Sequence, residues 1–358
     1  MLVTASTVMD SPGNVRFFVE ANLASGVDHM LVFLDAPQEP GQQEVAAMLD
    51  AERRVTCIRT GRKQWWTDGR PSGLNDRQRM NANWARALLE PFGWAEWLFH
   101  IDGDEVARLD RDAIAEVPAE ADAIWLPPWE AVSQPDPDTR PTRFKRLLDE
   151  DDLTLLHVLE AIREPTNQAY FHGHVMGKSG IRPRSGHALS LHGALTADGD
   201  RLERHEDPRL GVLHYDAVSG EEFVRKWQAL ARAGHARYRK SRQPMARALR
   251  TLIAKDLPEE VRARHLRRIY DLTTRDDVDL LGELGLLLEL DPLTDPLPAR
   301  PLADDDARAL AARVEELRAV PKHGFHVADK VADKAREAGA GRAARDAGRK
   351  LRRLTGRS

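Results

Sequence analysis

The stretch that decides the fold is "WLFHIDGDEV", residues 97–106, in which an apolar run stops at three carboxylates. The apolar residues 97–101 have the composition of a buried strand. Asp102, Asp104 and Glu105 then place three like charges within four positions. Anions this close repel one another, and a divalent cation would offset that repulsion. The stretch therefore predicts a strand with a metal ion at its tip, and a surface turn rich in Asp and Gly is the alternative.

The spacing of the first two carboxylates suits a cation. Asp102 and Asp104 lie two positions apart, so in extended backbone their side chains lean the same way, with Cα atoms roughly 6–7 Å apart. Gly103 between them allows the chain to turn closely beside a ligand. Carboxylate oxygens favour Mg²⁺ or Mn²⁺, and Mg²⁺ keeps open positions for phosphate oxygens.

Two other acidic motifs, the EF-hand loop and the D-x-D motif of a phosphatase, share features with these residues. A calcium-binding EF-hand loop starting at Asp102 would need Asp or Asn and then Gly where Val106 and Ala107 stand, so it is excluded. A phosphatase of the haloacid-dehalogenase type also has D-x-D after an apolar strand, usually followed by Thr, where this chain has Val106. The phosphatase stays an alternative.

The sequence before this stretch alternates between strand-like and helix-like segments. Strands are predicted at 2–7, 29–35, 54–60 and 97–101, and helices at 14–26, 42–51 and 76–90. Such alternation predicts an α/β fold with a mostly parallel sheet covered on both faces. Ligands bind beyond the carboxyl ends of the strands in such sheets. Asp35 and Asp102 both follow predicted strands and should meet at that edge.

The remaining chain divides into further regions. Residues 123–132 read as a strand that runs into a Pro-stiffened loop. Ser219 and Glu222 have the spacing of a capping box, which predicts a helix from about Gly220. The predicted organisation is a nucleotide-binding domain (1–225), a helical extension (226–290), a Pro- and Asp-rich linker with a short helix (291–326), and a basic tail (327–358).

Composition limits the function classes. The chain has 358 residues, is 42% hydrophobic and 31% charged, and carries a net charge of −4, which argues against bulk nucleic-acid binding. One cysteine, Cys57, excludes an internal disulfide framework and a Cys-rich zinc site. No signal peptide or membrane-spanning stretch is recognisable, so a cytoplasmic protein is expected.

The basic tail at 327–358 has two interpretations. A segment of this composition is typical of a solvated, partly helical terminus. The alternative is a peripheral contact with an anionic membrane surface, which would place the protein at the inner face of the membrane.

Several stretches together resemble one family. The motifs are "NVRFFVEANLASGVDHMLVFLD", "RQRMNANWA", "WAEWLFHIDGDEV", "GKSGIRP" and "LHYDAVSGEEFVRKW", which occur in this order within residues 1–230. They resemble family 2 glycosyltransferases of GT-A fold, in the branch akin to family 92. The chain departs from that pattern at "MDSPGN" and "DAPQEPG", which bears on contacts to the base and ribose.

The resemblance implies a function as well as a GT-A, Rossmann-like fold with a C-terminal helical region. It implies a hexosyltransferase-type, inverting enzyme that moves a sugar from a nucleotide-sugar donor to an acceptor hydroxyl, in surface polysaccharide or glycan synthesis. Mn²⁺ or Mg²⁺ would be the cofactor. A non-catalytic GT-A-like module that binds a polysaccharide or nucleotide is the alternative from another class.

The resemblance also assigns residues. Asp104 would bind the metal, Asp102 the ribose or the metal, and His214 in "LHYD" would be a third metal ligand, with a buried strand His as the alternative. Asp35 would hold the nucleoside. The other predicted donor-binding residues are Thr4, Arg77, Gln78, Asn83, Lys178 and Arg182, of which Lys178 and Arg182 would grip phosphate oxygens.

Inversion requires a general base that takes the acceptor's proton. Glu130 is the first candidate and Glu164 the second, although either residue also fits an ordinary exposed carboxylate. Loop tryptophans could stack on sugar rings or simply pack in the core, and they are Trp65, Trp66 and Trp129. A zinc site at His172, His174, His187 and His192 is rejected, because their segment has no H-x-x-x-H on a clear helix.

Overall fold

The computed structural model describes residues 1–62, 64–232 and 243–330. The predicted basic tail at 327–358 therefore lies almost wholly outside the described residues, and its two interpretations stay predictions. Within the described ranges, no helix is both long and apolar enough to cross a membrane.

A six-stranded sheet forms the centre of the fold. In spatial order its strands are β3 (Val55–Arg59), β2 (His29–Leu34), β1 (Leu2–Val8), β4 (Trp97–His100), β9 (Lys178–Ile181) and β6 (Ala123–Leu126). Strands β3, β2, β1 and β4 pair in parallel, whereas β9 runs antiparallel to both of its neighbours. The four strands predicted from the sequence are thus present and adjacent.

The carboxyl ends of these parallel strands define one edge of the sheet. The register pairs Val8 of β1 with Leu34 of β2, and Ala5 of β1 with His100 of β4. Asp35 and Asp102, which follow β2 and β4, are therefore brought to the same edge. The predicted meeting of strand-end carboxylates there is the feature that positions the site.

Helices cover both faces of the sheet because its strands are apolar on both sides. On one face lie α1 (Pro12–Ala24) and α2 (Gln42–Ala51), and on the other lies α3 (Leu74–Leu89). Val32 points into the α1 side and Phe33 into the α3 side, as the two-residue period of a strand requires. The expected α/β fold class is confirmed, and this mixed, mostly parallel sheet is consistent with a GT-A fold.

A second sheet extends the first beyond the acidic tip. Its order is β13 (Leu287–Glu289), β8 (Arg143–Lys145), β7 (Pro128–Ala131), β12 (Gly211–His214) and β5 (Glu105–Arg108). The antiparallel register of β5 and β12 sets His214 directly opposite Glu105. A short hairpin of β10 (Ala188–Leu189) and β11 (Ala194–Leu195) packs beside α3.

The prediction for residues 123–132 was wrong in one respect. The segment is two strands rather than a strand and a loop, because β6 joins the first sheet and β7 joins the second. Pro128 is the first residue of β7, a position at which a missing N–H is tolerated. The segment therefore links the two sheets.

The remaining helices lie mostly in the C-terminal half. They are α4 (Arg111–Ala115), α5 (Glu150–Val158), α6 (Asn167–Tyr170), α7 (Gly220–Arg232), α8 (Gln243–Ile253), α9 (Glu259–Thr273), α10 (Val278–Glu283) and α11 (Asp304–Arg318). Helix α7 begins as predicted, and the Glu222 N–H donates to the Ser219 hydroxyl at 3.0 Å. The domain boundary predicted at residue 225 falls inside this helix, so that boundary does not separate two secondary structure elements.

The predicted linker at 291–326 contains a 15-residue helix that packs against the N-terminal domain. Leu310, Val314 and Leu317 of α11 are buried in the same apolar cluster as Trp84 of α3. The Trp84 indole N–H donates to the Leu317 carbonyl at 3.2 Å. Burial of this apolar surface stabilises the contact, so this part of the chain belongs to the core of the fold.

Lys322 fixes the end of that helix, and its replacement by Ala should lower the free energy of unfolding by about 1–3 kcal/mol. Its side chain is buried, and its ammonium donates to the Arg318 carbonyl at 2.8 Å and lies 4.4 Å from the Trp65 ring centre. Chemical denaturation would measure the change. The exposed Lys255→Ala is the control, and equal stabilities of the two variants would contradict this role.

Candidate active site

A cleft of about 1930 Å³ opens at the carboxyl edge of the first sheet. One end is lined by Asp35, by Arg70 and by residues 72–78, which lead into α3. The acidic tip at 102–106 lies in its wall, and the loop at 135–140 and the first turns of α7 form the other end.

The three carboxylates of the acidic tip do not face the same way. Asp102 and Asp104 line the cleft with side chains 25% and 35% exposed, whereas the Glu105 side chain is fully buried. Glu105 accepts hydrogen bonds from the Asp102 N–H at 2.7 Å and from the His174 ring at 2.8 Å. It also lies 3.4 Å from the Lys178 ammonium. One of the three anions is therefore an internal counter-ion.

Asp102 is held between two side chains. Its carboxylate accepts from Gln78 and from Lys178, each at 2.6 Å. Burial raises the pKa of Asp102, but the Lys178 ammonium outweighs burial and leaves the pKa below its ordinary value. Burial also raises the pKa of Glu105, but Lys178 and His174 outweigh burial and hold that pKa well below the usual range. Both groups stay ionised at neutral pH.

Asp104 lies on the open side of the tip. The Lys226 ammonium of α7 donates to Asp104 at 3.2 Å and forms a very short contact with Asp216. His214 Nε2 lies 3.9 Å from an Asp104 oxygen, which is too far for a hydrogen bond. The strand-tip anions therefore meet two lysines, one beneath Asp102 and one beside Asp104.

The groups around Asp104 fit a divalent ion. The ligand atoms of Asp104, His214 and Asp216 all lie within 4.8 Å of one another. Two ligands about 2.1 Å from one octahedral ion lie roughly 3 Å apart when adjacent and about 4 Å apart when opposite. The 3.9 Å between His214 and Asp104 falls within the range that two ligands of one ion can span. The ligand group thus contains two of the three predicted residues, with Asp216 in place of Asp102.

A second group that could hold a metal shares His214. It consists of Glu105, His174 and His214, and the rings of the two histidines stack with centroids 4.8 Å apart. His174 was rejected as a ligand because its local sequence lacks a metal-binding spacing. Its partners come from other strands, which local spacing cannot reveal. The other three histidines of that prediction bond elsewhere: His172 to Asp276, His187 to Asp122 and His192 to the Gly177 carbonyl.

Asp35 pairs with two arginines at the far end of the cleft. Arg77 forms a two-point ion pair with its carboxylate at 2.8 and 2.9 Å, and Arg70 donates to it at 2.9 Å. The same Arg77 also donates to the Pro71 and Ser72 carbonyls, which fixes the loop before α3. This three-residue group carries one net positive charge and faces the cleft.

Four predicted donor-binding residues do not line the cleft. Lys178 is buried beneath Asp102 and contacts that carboxylate, so it acts on the cleft only through Asp102. Arg182 follows the end of β9 opposite to Lys178, because successive strand residues advance about 3.3 Å. Its guanidinium lies 4.2 Å from the centre of the Trp97 ring. Asn83 bonds both backbone groups of Leu189. Thr4 is buried in the middle of β1.

The three tryptophans proposed for sugar stacking are core residues. Trp65 and Trp66 are 0% and 2% exposed, and Trp65 packs edge-on against Trp84 with ring centres 4.8 Å apart. Trp129 is buried in β7 among apolar residues of the second sheet. Their packing alternative is the correct one.

Neither candidate for the general base is placed to act as one. Glu130 is 1% exposed and forms an ion pair with Lys145 at 2.9 Å. Burial raises its pKa, but Lys145 and His172 outweigh burial and hold the pKa of Glu130 below its ordinary value. Glu164 is exposed on the bend after α5 and does not line the cleft.

Glu130 instead anchors the segment that carries His174. Its carboxylate accepts from the His172 N–H at 2.7 Å and, at a shorter distance, from the Gly173 N–H. A Cβ at Gly173 would lie 2.3 Å from His214 and 2.5 Å from Glu130. Only glycine allows the chain to pass this closely over His214.

The buried ion pair of Asp276 with Lys145 should make stability depend on acid. Burial raises the pKa of Asp276, but Lys145 and His172 outweigh burial and depress it. A depressed pKa stabilises the fold above the unfolded value of about 3.9, and this contribution is lost as pH falls below it. Asp276→Asn should lower the free energy of unfolding by about 3 kcal/mol at pH 7 and flatten its fall below pH 4.

Urea denaturation at several pH values would measure both effects of Asp276→Asn. The exposed Asp256→Asn serves as the control and should behave like the wild-type protein. An unchanged acid dependence in Asp276→Asn would contradict the assignment.

Sequence reasoning missed several residues of the site. Lys226, Asp216 and Arg70 join it from a helix or from loops, and only the motif "LHYDAVSGEEFVRKW" gave a signal for the first two. Nothing in the local sequence around Arg70 indicates its pairing with Asp35.

Comparisons with known proteins give low similarity throughout. No family model matches the chain, and no curated protein matches it. A search of solved structures finds a putative glucose-1-phosphate thymidylyltransferase from Bacillus anthracis in complex with a sucrose, at 9% identity and a TM-score of 0.27, over 51% of this chain and 72% of that one.

Two further solved structures are also similar. HddC from Yersinia pseudotuberculosis is 11% identical over 64% of this chain and 98% of that one, with a TM-score of 0.31. The galactosyltransferase LgtC, in complex with donor and acceptor sugar analogs, is 15% identical over 51% of this chain and 58% of that one, with a TM-score of 0.23.

Proposed function

We propose that the protein is a metal-dependent glycosyltransferase that moves a sugar from a nucleotide-sugar donor to an acceptor hydroxyl. The observation that carries this proposal is the convergence of Asp104, His214 and Asp216 at the carboxyl edge of a parallel sheet, beside Asp102. Asp104 and Asp216 line a cleft whose other end is lined by the Asp35 group, and His214 is buried beside them. Open α/β sheets bind nucleotides at this edge.

The proposed donor lies along the cleft with its nucleoside near Asp35. Arg70 retains donor groups beyond its bond to Asp35, and the guanidinium fork suits ribose or phosphate oxygens. Asp102 is fixed by Gln78 and Lys178 at the wall of the cleft. The diphosphate would then lie beside Asp104.

Asp104, His214 and Asp216 would hold Mn²⁺ or Mg²⁺, which when bound neutralises charge on the departing nucleoside diphosphate. Gln78 and Lys178 hold Asp102 in place before substrate arrives. Preorganised charge of this kind favours the transition state because it costs no reorganisation during the reaction.

The acceptor would enter from the side of α7. Besides Asp216, which would hold the metal, the cleft-lining carboxylates on that side are Glu221 and Glu222, whereas Glu130 is buried behind His214. In an inverting transfer, the base would come from this set, because it must reach the acceptor hydroxyl. The proposed product is surface polysaccharide or another glycan. The basic tail at 327–358 is the segment proposed to contact a membrane.

A nucleotide-release assay tests the proposal. Purified protein would be incubated with UDP- and GDP-sugars, simple sugar acceptors and Mn²⁺ or EDTA, and released nucleoside diphosphate would be measured. The expected result is release that requires the metal and rises with an acceptor. Hydrolysis of a simple aryl phosphate would favour the phosphatase, and binding of nucleotides without any release would favour the non-catalytic module.

A further inference from the structure

The acidic site already contains a cation supplied by the chain. The Lys226 ammonium donates to an Asp104 oxygen at 3.2 Å and to the Asp216 carbonyl at 3.2 Å, and it pairs with the Asp216 carboxylate. Asp104 and Asp216 belong to the three-residue group that could hold a metal, and His214 is the third member. One lysine therefore occupies the carboxylates of the candidate metal site.

Helix α7 fixes the position of Lys226 at the wall of the cleft. Helix α7 begins at the Ser219 cap and is held by Phe223 and Trp227, both buried against α8 and α9. Lys226 lies on the side of α7 that lines the cleft, with its side chain about one-third exposed. The long stem can swing aside without unfolding the helix.

A divalent ion and this ammonium cannot share the site. The Asp104 oxygen that lies 3.9 Å from His214 is the one to which Lys226 donates, so an ion between Asp104 and His214 would need that oxygen. Two cations at such close range also repel each other strongly in a partly buried site. Metal binding therefore requires that the ammonium leave.

We propose that Lys226 and the divalent ion are alternative occupants of one carboxylate site, so that the ion must displace the Lys226 ammonium in order to bind. This inference rests on the metal-dependent function proposed above. It assigns to Lys226 a regulatory role, because the lysine offsets part of the negative charge of the empty site and weakens metal binding until it moves. The displaced ammonium remains beside the cleft, where diphosphate oxygens would accept its hydrogen bonds.

The competition predicts a gain of metal affinity on removing the lysine. Mn²⁺ alone would be titrated into the full chain, and free Mn²⁺ would be followed by its electron paramagnetic resonance signal. Lys226→Met should bind Mn²⁺ about tenfold or more tightly than the wild-type protein, because the ion no longer competes with the Lys226 ammonium for these carboxylates. Lys226→Gln provides a second variant that retains a polar group at the same helix position.

Arg225→Met is the matched control for this experiment. It removes a positive charge from the adjacent position of α7, where Arg225 pairs with Glu222 and Asp10 rather than with Asp104. Its affinity for Mn²⁺ should change by about twofold at most, because the charge is farther from the ligands.

Unchanged or weaker Mn²⁺ binding in both Lys226 variants would overturn the inference, as would the absence of Mn²⁺ binding in all four proteins. The nucleotide-release assay then distinguishes a failure of the competition from a failure of the proposed function. Metal-dependent nucleotide release by the wild-type protein, combined with unchanged affinity in the variants, would reject the competition and leave the function standing.

Discussion

Replacement of Asp104 by Asn is expected to lower donor turnover by about a thousandfold while the fold stays intact. The side chain is 35% exposed at the wall of the cleft, so loss of its charge leaves no buried cation uncompensated. Asn keeps the size of Asp but provides a neutral and weaker ligand. Loss of one electrostatic contact to a developing charge typically costs 10²- to 10³-fold in rate.

Nucleotide release at saturating Mn²⁺ would measure this loss, and circular dichroism would confirm the fold. Asp112→Asn is the control, because Asp112 is exposed in the first turn of α4 and does not line the cleft. Turnover by Asp104→Asn within a few-fold of the wild-type value would refute the role of Asp104 as a metal ligand.

Replacement of Glu105 by Gln is expected to have the largest effect on stability, about 3 kcal/mol or more. Removing one partner of a buried ion pair costs roughly this amount, because the other charge stays buried. Gln fills the same volume and can still accept from the Asp102 N–H, but it removes the negative charge that Lys178 and His174 face. Lys178 would then have Asp102 as its remaining carboxylate partner among the ion pairs described.

Urea denaturation followed by tryptophan fluorescence would measure the free energy of unfolding of Glu105→Gln. The control is Glu116→Gln, which removes a 63% exposed carboxylate that pairs with Arg209 and should cost well under 1 kcal/mol. A cost for Glu105→Gln as small as that of the control would show that the buried charge does not stabilise the tip.

The sequence predicted the sheet and the edge at which the site lies, because both depend on local patterns. Apolar runs of strand length alternated with helical periods, and carboxylates followed the second and fourth of these strands. Those patterns determine which strand ends meet. Asp35, Asp102 and Asp104 therefore lie at one edge of the sheet, as predicted.

The sequence could not predict the direction of each side chain, because that direction depends on partners that are distant in the sequence. Glu105 turns inward since β12 sets His214 opposite it and β9 supplies Lys178. Glu130 looked like an exposed base because Lys145 and Asp276 are remote in sequence. Trp65 appeared to be a loop aromatic, but the partners that bury it lie on α3 and β2.

The most direct test of the central claim is a crystal structure of the protein with Mn²⁺ and a nucleoside diphosphate, with manganese located by anomalous scattering. We expect one ion bound by Asp104 and His214 within the cleft, with the diphosphate on its open side and the nucleoside towards Asp35. Manganese density that is absent from this position, while Asp104 and Asp216 still hold Lys226 beside a bound nucleotide, would contradict the account.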